Sequence, residues 1–575
     1  MADYLDDPRT RRDRYEALRA TLWSERQTGF DSHWQELADF VRPRRYRRST
    51  SEHNDGSKAN QKIIDSTAQF ACRTLASGLH AGLTSPARQW FKLSTHDPEL
   101  AKFGPVKKWL HEVTQRMFLV MNTTNIYNSL PIVYGDLGLF GTGAMGLLDD
   151  SKDLFRCYTY AAGTYAIGLD ERGLATTFCR IYKMTVRQVI KQFALKDGTR
   201  EIDWSKVSLM IKREWDAGRY ETKLDVVHIV TPNEAADRNM LPAKYLPWSS
   251  CYYELGTDDT NRKFLRESGF NEFPFMVPRW DITDGDSYGT DCPGMTALGD
   301  VKQLQVEQRR KGQAIAKMVD PPLVGPPNLR AARTSLLPGD VTYVDEGGKP
   351  MLRSIHDVNL RVDHLGEDIR EVQYRIQRAF YEDLFLMLAR SDALRGQPPT
   401  AREVEERHEE KLLALGPVLE RTNDELLDRI IDRVFAMMFR AGLIPEAPEA
   451  LQGVKLKVEY TSIMAQAQKL VSVAGQDRFL QSIVILSEAI PAVLHKIEPN
   501  VVVDTYADMY GVAPDMIRTN DQVAELMAAE QRQKDAMIEA EQAKNMTAAM
   551  KNAGTTPMDG DTALTRVAAA AQQAA

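Results

Sequence analysis

Met295–Met318 reads MTALGDVKQLQVEQRRKGQAIAKM, without a proline. The spacing predicts one helix of roughly 24 residues, ~36 Å long at about 1.5 Å per residue. Its middle, Gln303 to Gln313, is strongly polar, so only its ends are expected to pack in an ordinary core. Pro321-Pro322 and Pro326-Pro327 end it. A compact insert, Leu323 to Ile355, has turn signals at Pro338-Gly339 and Gly347-Gly348 around the strand-like Val341-Thr342-Tyr343-Val344. A second helix begins near Asn359, where Val362, Leu365, Ile369, Val372, Ile376 and Phe380 form one apolar stripe. Two long helices flanking a small β insert make a stalk with a tip.

Downstream lies a polar loop, Ala389 to Pro399, and then the longest helical pattern, Thr400 to Gly442, ~60 Å of helix. Gly416-Pro417 sits in its middle. Pro417 lacks an amide hydrogen and its ring collides with the Leu413 carbonyl, so a kink is expected there. A strand, Val454–Tyr460, follows, then helices punctuated by Pro491, Pro499 and Pro514. The last ~30 residues, rich in Ala, Gln, Thr and Gly, read as weakly ordered. Upstream, Arg12 to Val41 reads as helical and stops at Pro43, amid Arg42, Arg44, Arg45, Arg47 and Arg48. A polar loop, Ser49 to Asn60, leads to a helix from about Ile63 to Leu83. Leu224–Val230 and Phe273–Val277 read as strands. The fold class is α+β, mainly helical.

The chain has 575 residues, 43% hydrophobic and 27% charged, so it can build real cores and general disorder is excluded. No apolar run approaches the roughly 18 residues of a membrane helix, so no membrane is expected among its partners. The charged N-terminus is unlike a secretory signal. Cys72, Cys157, Cys179, Cys251 and Cys292 are scattered, which argues for a reducing compartment. A net charge of −7 argues against coating nucleic acid through bulk positive charge.

No catalytic, cofactor or metal site is expected. Gly141-Thr142-Gly143-Ala144-Met145-Gly146 matches G-x-G-x-x-G, but its context is reversed, helix before and strand after, so close packing explains the glycines better. Asp281, Asp284, Asp286 and Asp291 fail the calcium-loop count, since Met295 stands where a bidentate Glu belongs. His408-Glu409-Glu410 lacks a second histidine, and neither a phosphate loop nor a G-x-S-x-G elbow occurs. The Arg42–Arg48 run suits a phosphate, an acidic partner, solvent or salt bridges to a neighbouring subunit. Arg309, Arg310, Lys311 and Lys317, on the polar rod, face nucleic acid, solvent or an adjacent chain.

This order of elements resembles the portal (head-to-tail connector) proteins of short-tailed, T7-like bacteriophages. The resemblance is carried by Gly82-Leu83-Thr84-Ser85-Pro86 with Trp90-Phe91-Lys92-Leu93, and by Tyr288-Gly289, Pro293, Ala297-Leu298, Asp300, Lys302 and Leu304. It continues through Pro399-Thr400-Ala401-Arg402-Glu403-Val404 with Arg407 and Glu410, Leu415-Gly416-Pro417 and Gly442-Leu443-Ile444-Pro445. Tyr460-Thr461-Ser462 with Ala465-Gln466, and Gly511-Val512-Ala513-Pro514, complete it.

The resemblance implies a dodecameric ring at one capsid vertex whose channel passes double-stranded DNA at packaging and ejection. It implies a wing (1–293 and 400–462), stem helices (294–319 and 357–388), a clip (320–356), a channel loop (389–399), a crown (463–545) and a weakly ordered tail (546–575). The implied partners are the terminase motor, the tail adaptor, and the major capsid and scaffolding proteins. The implied location is the virion, with host cytoplasm during assembly. The channel candidates are Arg309, Arg310, Lys311, Lys317, Arg390, Arg395 and Gln397. A channel that passes DNA should not grip it, because each neutralised phosphate adds affinity. In the second stem helix Arg361, Arg370, Arg375 and Arg378 are balanced by Asp363, Glu367, Asp368 and Glu371. The rival readings are a metal-dependent nucleic-acid-processing enzyme using Asp281, Asp284 and Asp286, and a helical scaffold protein.

Overall fold

Helix α1, Pro8–Gly29, and helix α2, Asp31–Phe40, replace the single helix expected over Arg12 to Val41. The chain turns at Phe30, whose ring packs against Trp34 and Tyr288 at centroid distances of 5.8 and 5.0 Å. The break also lets the buried Arg26 donate to Asp31 (Nε to Oδ1, 3.0 Å) and to the Tyr165 carbonyl (2.6 Å), satisfying a charge that would otherwise be stranded. These are features of a computed structural model that describes residues 8–48, 60–196, 201–237, 240, 242–256, 264–319, 323–324, 353–354, 362–390, 415–462, 482–483, 485–486, 498–503, 518 and 520–554. The chain divides into two units, residues 1–101 with 109–474, and residues 102–108 with 475–575.

In the first unit, α3 spans Thr67–Leu83 and strand β1 spans Phe91–Thr95. Helix α4, Ile126–Phe140, precedes β2, Met145–Asp150, and β3, Leu154–Thr159. Next come β4 (Tyr165–Leu169), β5 (Ala175–Thr185), β6 (Lys223–Pro232), β7 (Trp248–Glu254), β8 (Arg266–Phe270) and β9 (Phe275–Met276). Strands β4 to β8 form one antiparallel sheet in sequence order, and a smaller sheet runs β3-β2-β9. Period-2 alternation decides the faces of β5: Cys179 and Ile181 join a core with Leu22, Ala166, Val227 and Ile229, while Arg180 and Tyr182 face away.

Helix α5, Pro293–Val319, contains the stretch read as helical over 295–318. Its packing departs from expectation. Ala297, Leu298, Val301, Leu304, Gln305 and Glu307 are buried, whereas Ile315, Met318 and Val319 at the far end are exposed. Part of the polar middle therefore packs, because its glutamines find partners. The short strands β10 (Leu323–Val324) and β11 (Arg353–Ser354) pair antiparallel, so the chain goes out and comes back. The rest of 320–356 lies outside the described residues, as does the turn content expected there.

Helix α6, Val362–Ala379, packs on α5, and Ile369, Val372 and Ile376 of the expected stripe are buried. The helix expected to run on to about Leu388 is instead broken at Tyr381, which has φ +55°, and α7 begins at Glu382 and ends at Arg390. A left-handed tyrosine costs about 1–2 kcal/mol. The break buries Phe380, Leu384 and Phe385, each worth roughly 1.5–3 kcal/mol, so burial wins. Gly78 on α3 makes room: a methyl group there would lie 2.1 Å from the Phe385 ring.

The chain is helical again from Leu415, through a π-helical turn at Asn423–Leu427, into α8, Asp428–Arg440. Residues 391–414 lie outside the described residues, and Gly416 and Pro417 stand in the first described turn, so the kink expected there is not described. Strand β12, Leu456–Tyr460, pairs with β1, placing Phe91 opposite Tyr460. Within the second unit, helix α9 spans Asn520–Gly554, its described side chains nearly all exposed. It runs past the boundary expected at 545, since Ala, Met and Lys are strong helix formers up to Gly554.

Candidate assembly and nucleic-acid interface

Helices α5 and α6 are tied to the body through one carboxylate. Asp65 accepts hydrogen bonds from Gln308 of α5 and Gln373 of α6, both at 2.9 Å, and from the Thr67 amide at 2.8 Å. Gln305 completes the knot: its Oε1 accepts from the amides of Ile64 and Asp65 at 2.6 and 2.8 Å, and its Nε2 donates to the Asp65 carbonyl. Burial works to raise the Asp65 pKa, but the hydrogen bonds from Thr67, Gln373 and Gln308 outweigh it and hold the carboxyl below its usual range. Arg375 pairs with Asp300 at 3.3 Å, and Lys302 with Glu36. Sequence reading missed this network. Its one visible signal was Gln305 and Gln308 spaced i, i+3, beside apolar Val301 and Leu304.

Four of the channel candidates lie on the exposed half of α5, but not on one face. Lys311 stands seven residues beyond buried Leu304 and is half-buried, so it belongs to the packed side. Arg309, Arg310 and Lys317 are exposed, with Arg310 and Lys317 seven residues apart on a shared face. None of the four has an ion-pair partner among the described residues. Arg390 is the last residue of α7, and its side chain lies outside the described residues, as do Arg395 and Gln397.

The arginine run divides between two roles. Arg45 donates to both oxygens of buried Asp136, and Arg42 lies 3.8 Å from the same carboxylate. Burial works to lower the Arg45 pKa, and Asp136 reverses this and raises it. Arg47 and Arg48, and Arg45 beside them, line a cleft of about 720 Å³ with Arg180, Lys183, Tyr158, Tyr160 and Tyr182, among others. Arg180 stacks over Tyr182 at 3.8 Å and opposes His228 on β6. His228 is held well below its usual pKa by burial, and then by Arg180 and Arg266. Among the described residues no aspartate or glutamate lines the cleft.

The glycine motif packs closely. Gly141 ends α4 in the left-handed region at φ +71°, and β2 follows, the reverse of a dinucleotide turn. Its backbone abuts Gly289, whose amide donates to Thr142 Oγ1 at 2.8 Å. Asp281 accepts from Arg421 at 2.9 Å, and Asp284 has φ +29°. Among the described residues no three His, Cys, Asp or Glu side chains converge as a metal-binding group, so the nuclease reading has no assembled site there. Among the described residues no helix is long and apolar enough to cross a membrane.

A paired-helix rod bearing exposed cations is thus knotted to a body of helices and antiparallel sheet. The family model for bacteriophage head-to-tail connecting proteins matches residues 12–517, and the chain belongs to that family. It is 43% identical to the portal protein of Salmonella phage epsilon15 over 96% of this chain and 97% of that protein. It is 41% identical to the probable portal protein of Bordetella phage BPP-1, over 86% of each chain.

Proposed function

We propose that the chain is a portal subunit, with copies closing into a dodecameric ring at one capsid vertex. Double-stranded DNA passes through the ring during packaging and ejection, and the role is structural. In this reading residues 294–319 and 357–388 are the stem, residues 320–356 the clip that meets the terminase motor and then the tail adaptor, residues 389–399 the channel loop, and residues 463–545 the crown. The wing comprises 1–293 and 400–462, and major capsid and scaffolding proteins surround it in the virion and, during assembly, in host cytoplasm.

The observation that carries the reading is the rod itself. One copy leaves Val306, Ile315 and Met318 of α5 and Tyr374 of α6 at 43–59% exposure on a helix pair that also carries the exposed cations Arg309, Arg310 and Lys317. Neighbouring copies related by a rotation that closes bury such edges and leave a polar lining. Negative-stain images of the purified chain are expected to show annular particles; a single-copy species under all solution conditions contradicts the proposal. Changing Arg390 and Arg395 together to Ala is expected to leave rings intact and to impair packaging or genome retention, read as packaged DNA per particle. Normal DNA content in such particles removes the channel-loop assignment.

A further inference from the structure

The basic cleft and the acidic loop lie on opposite sides of α1. Trp23 and Gln27 line the cleft, and four residues of helix separate them, a rotation of only about 40°. Glu25 sits about 200° around the helix from Trp23 and accepts a 2.8 Å hydrogen bond from Ser287 of the loop that follows Asp281, Asp284 and Asp286. Glu25 and Asp284 are exposed and Asp286 is half-buried. Across the helix, Arg47, Arg180 and Lys183 have no ion-pair partner among the described residues, and Arg47 Nε is buried without a hydrogen bond there.

We propose that this cleft is one half of a head-to-tail contact between copies of the chain, its cations receiving Glu25, Asp284 and Asp286 of the next copy. The contact rests on the ring reading and deepens it by naming the surfaces. The two surfaces lie on opposite sides of α1, which is the arrangement a heterologous interface that closes by rotation requires. Charge complementarity sets register and suppresses wrong pairings. Tyr158, which is 44% exposed, and Tyr182 supply flat apolar area beside the charges. A cleft of about 720 Å³, roughly 9 Å on a side, admits a loop tip but not a duplex, whose major groove alone is about 12 Å wide.

The test is charge exchange in the full-length chain, read by light scattering after size exclusion and by negative stain. Arg180→Glu with Lys183→Glu, and separately Asp284→Lys with Asp286→Lys, are each expected to abolish rings while keeping the wild-type circular dichroism spectrum. The chain carrying all four changes is expected to regain rings, a rescue that misfolding cannot produce. If the glutamate pair does not fold, Arg180→Gln with Lys183→Gln is expected to raise the protein concentration needed for rings about tenfold. Rings of wild-type abundance from a folded cleft variant overturn the proposal, as does a folded fourfold variant without rings. Wild-type material carrying nuclease-sensitive absorbance that the cleft variant lacks, with rings unchanged, also overturns it and assigns the cleft to single-stranded nucleic acid. A wild-type chain that never forms rings overturns the portal reading itself, a result distinct from all of these.

Discussion

Glu425→Ala is expected to destabilise the first unit by about 3–5 kcal/mol, the cost of leaving a buried charge without its partner. Arg279 and Glu425 are 1% and 6% exposed. Glu425 accepts from the Arg279 amide at 2.8 Å and from its Nε at 3.2 Å, while the guanidinium also reaches the carbonyls of Gly173 and Asp286. Removing the carboxylate therefore strands one guanidinium and one backbone N–H. The replacement Arg279→Met with Glu425→Leu removes both charges and is expected to recover part of the loss, because paired burial gains little over apolar packing while the position-279 amide and the Gly173 and Asp286 carbonyls lose these partners. Differential scanning calorimetry of the three variants checks this. A Glu425→Ala transition within a degree of wild type shows that water reaches the pair and that burial is not what sets its cost.

Gly289→Val is expected to cost about 3 kcal/mol or more, at the upper end of overpacking effects. A Cβ on Gly289 would sit 2.1 Å from the Gly141 carbonyl oxygen and 2.7 Å from its carbon, and backbone cannot swing aside as a side chain does. The Gly141 carbonyl is itself held by the Trp280 amide at 2.8 Å. Separating the two segments would also break the 2.8 Å bond from the Gly289 amide to Thr142. Expression with little soluble protein, or a transition many degrees lower for what is soluble, is the expected result; unchanged melting would mean that this contact opens in solution. The nearby Gly285, at φ +79°, where an added methyl group would meet nothing within 4 Å, is the control for backbone strain without crowding.

Much of the architecture was readable along the chain because it is written locally. The apolar stripe Ile369, Val372, Ile376 and Phe380 identifies a helix face before any partner is known, since 3.6 residues per turn place those side chains together. The order helix, then strand, around Gly141 to Gly146 sufficed to reject a nucleotide turn. Other features had no local signal. The π turn at Asn423–Leu427 that carries Glu425 to Arg279, and the left-handed Tyr381 that divides α6 from α7, are each locally unfavourable. They persist because distant groups stabilise them, Arg279 in one case and the space above Gly78 in the other.

The same division holds for the functional surfaces. By itself the sequence determined the rod, its polar middle, its scattered cations and its likeness to a family of head-to-tail connectors, since helix periodicity and charge are properties of neighbours in the chain. Only the tertiary structure decided that Gln305, Gln308 and Gln373 knot the rod to Asp65, that Lys311 is half-buried while Arg310 is exposed, and that Arg45 pairs with Asp136 where Arg47, Arg180 and Lys183 also line a cleft. Those outcomes depend on which strands and helices meet across long stretches of chain, and burial, which penalises every unpaired polar group, is set by that meeting and not by any single segment.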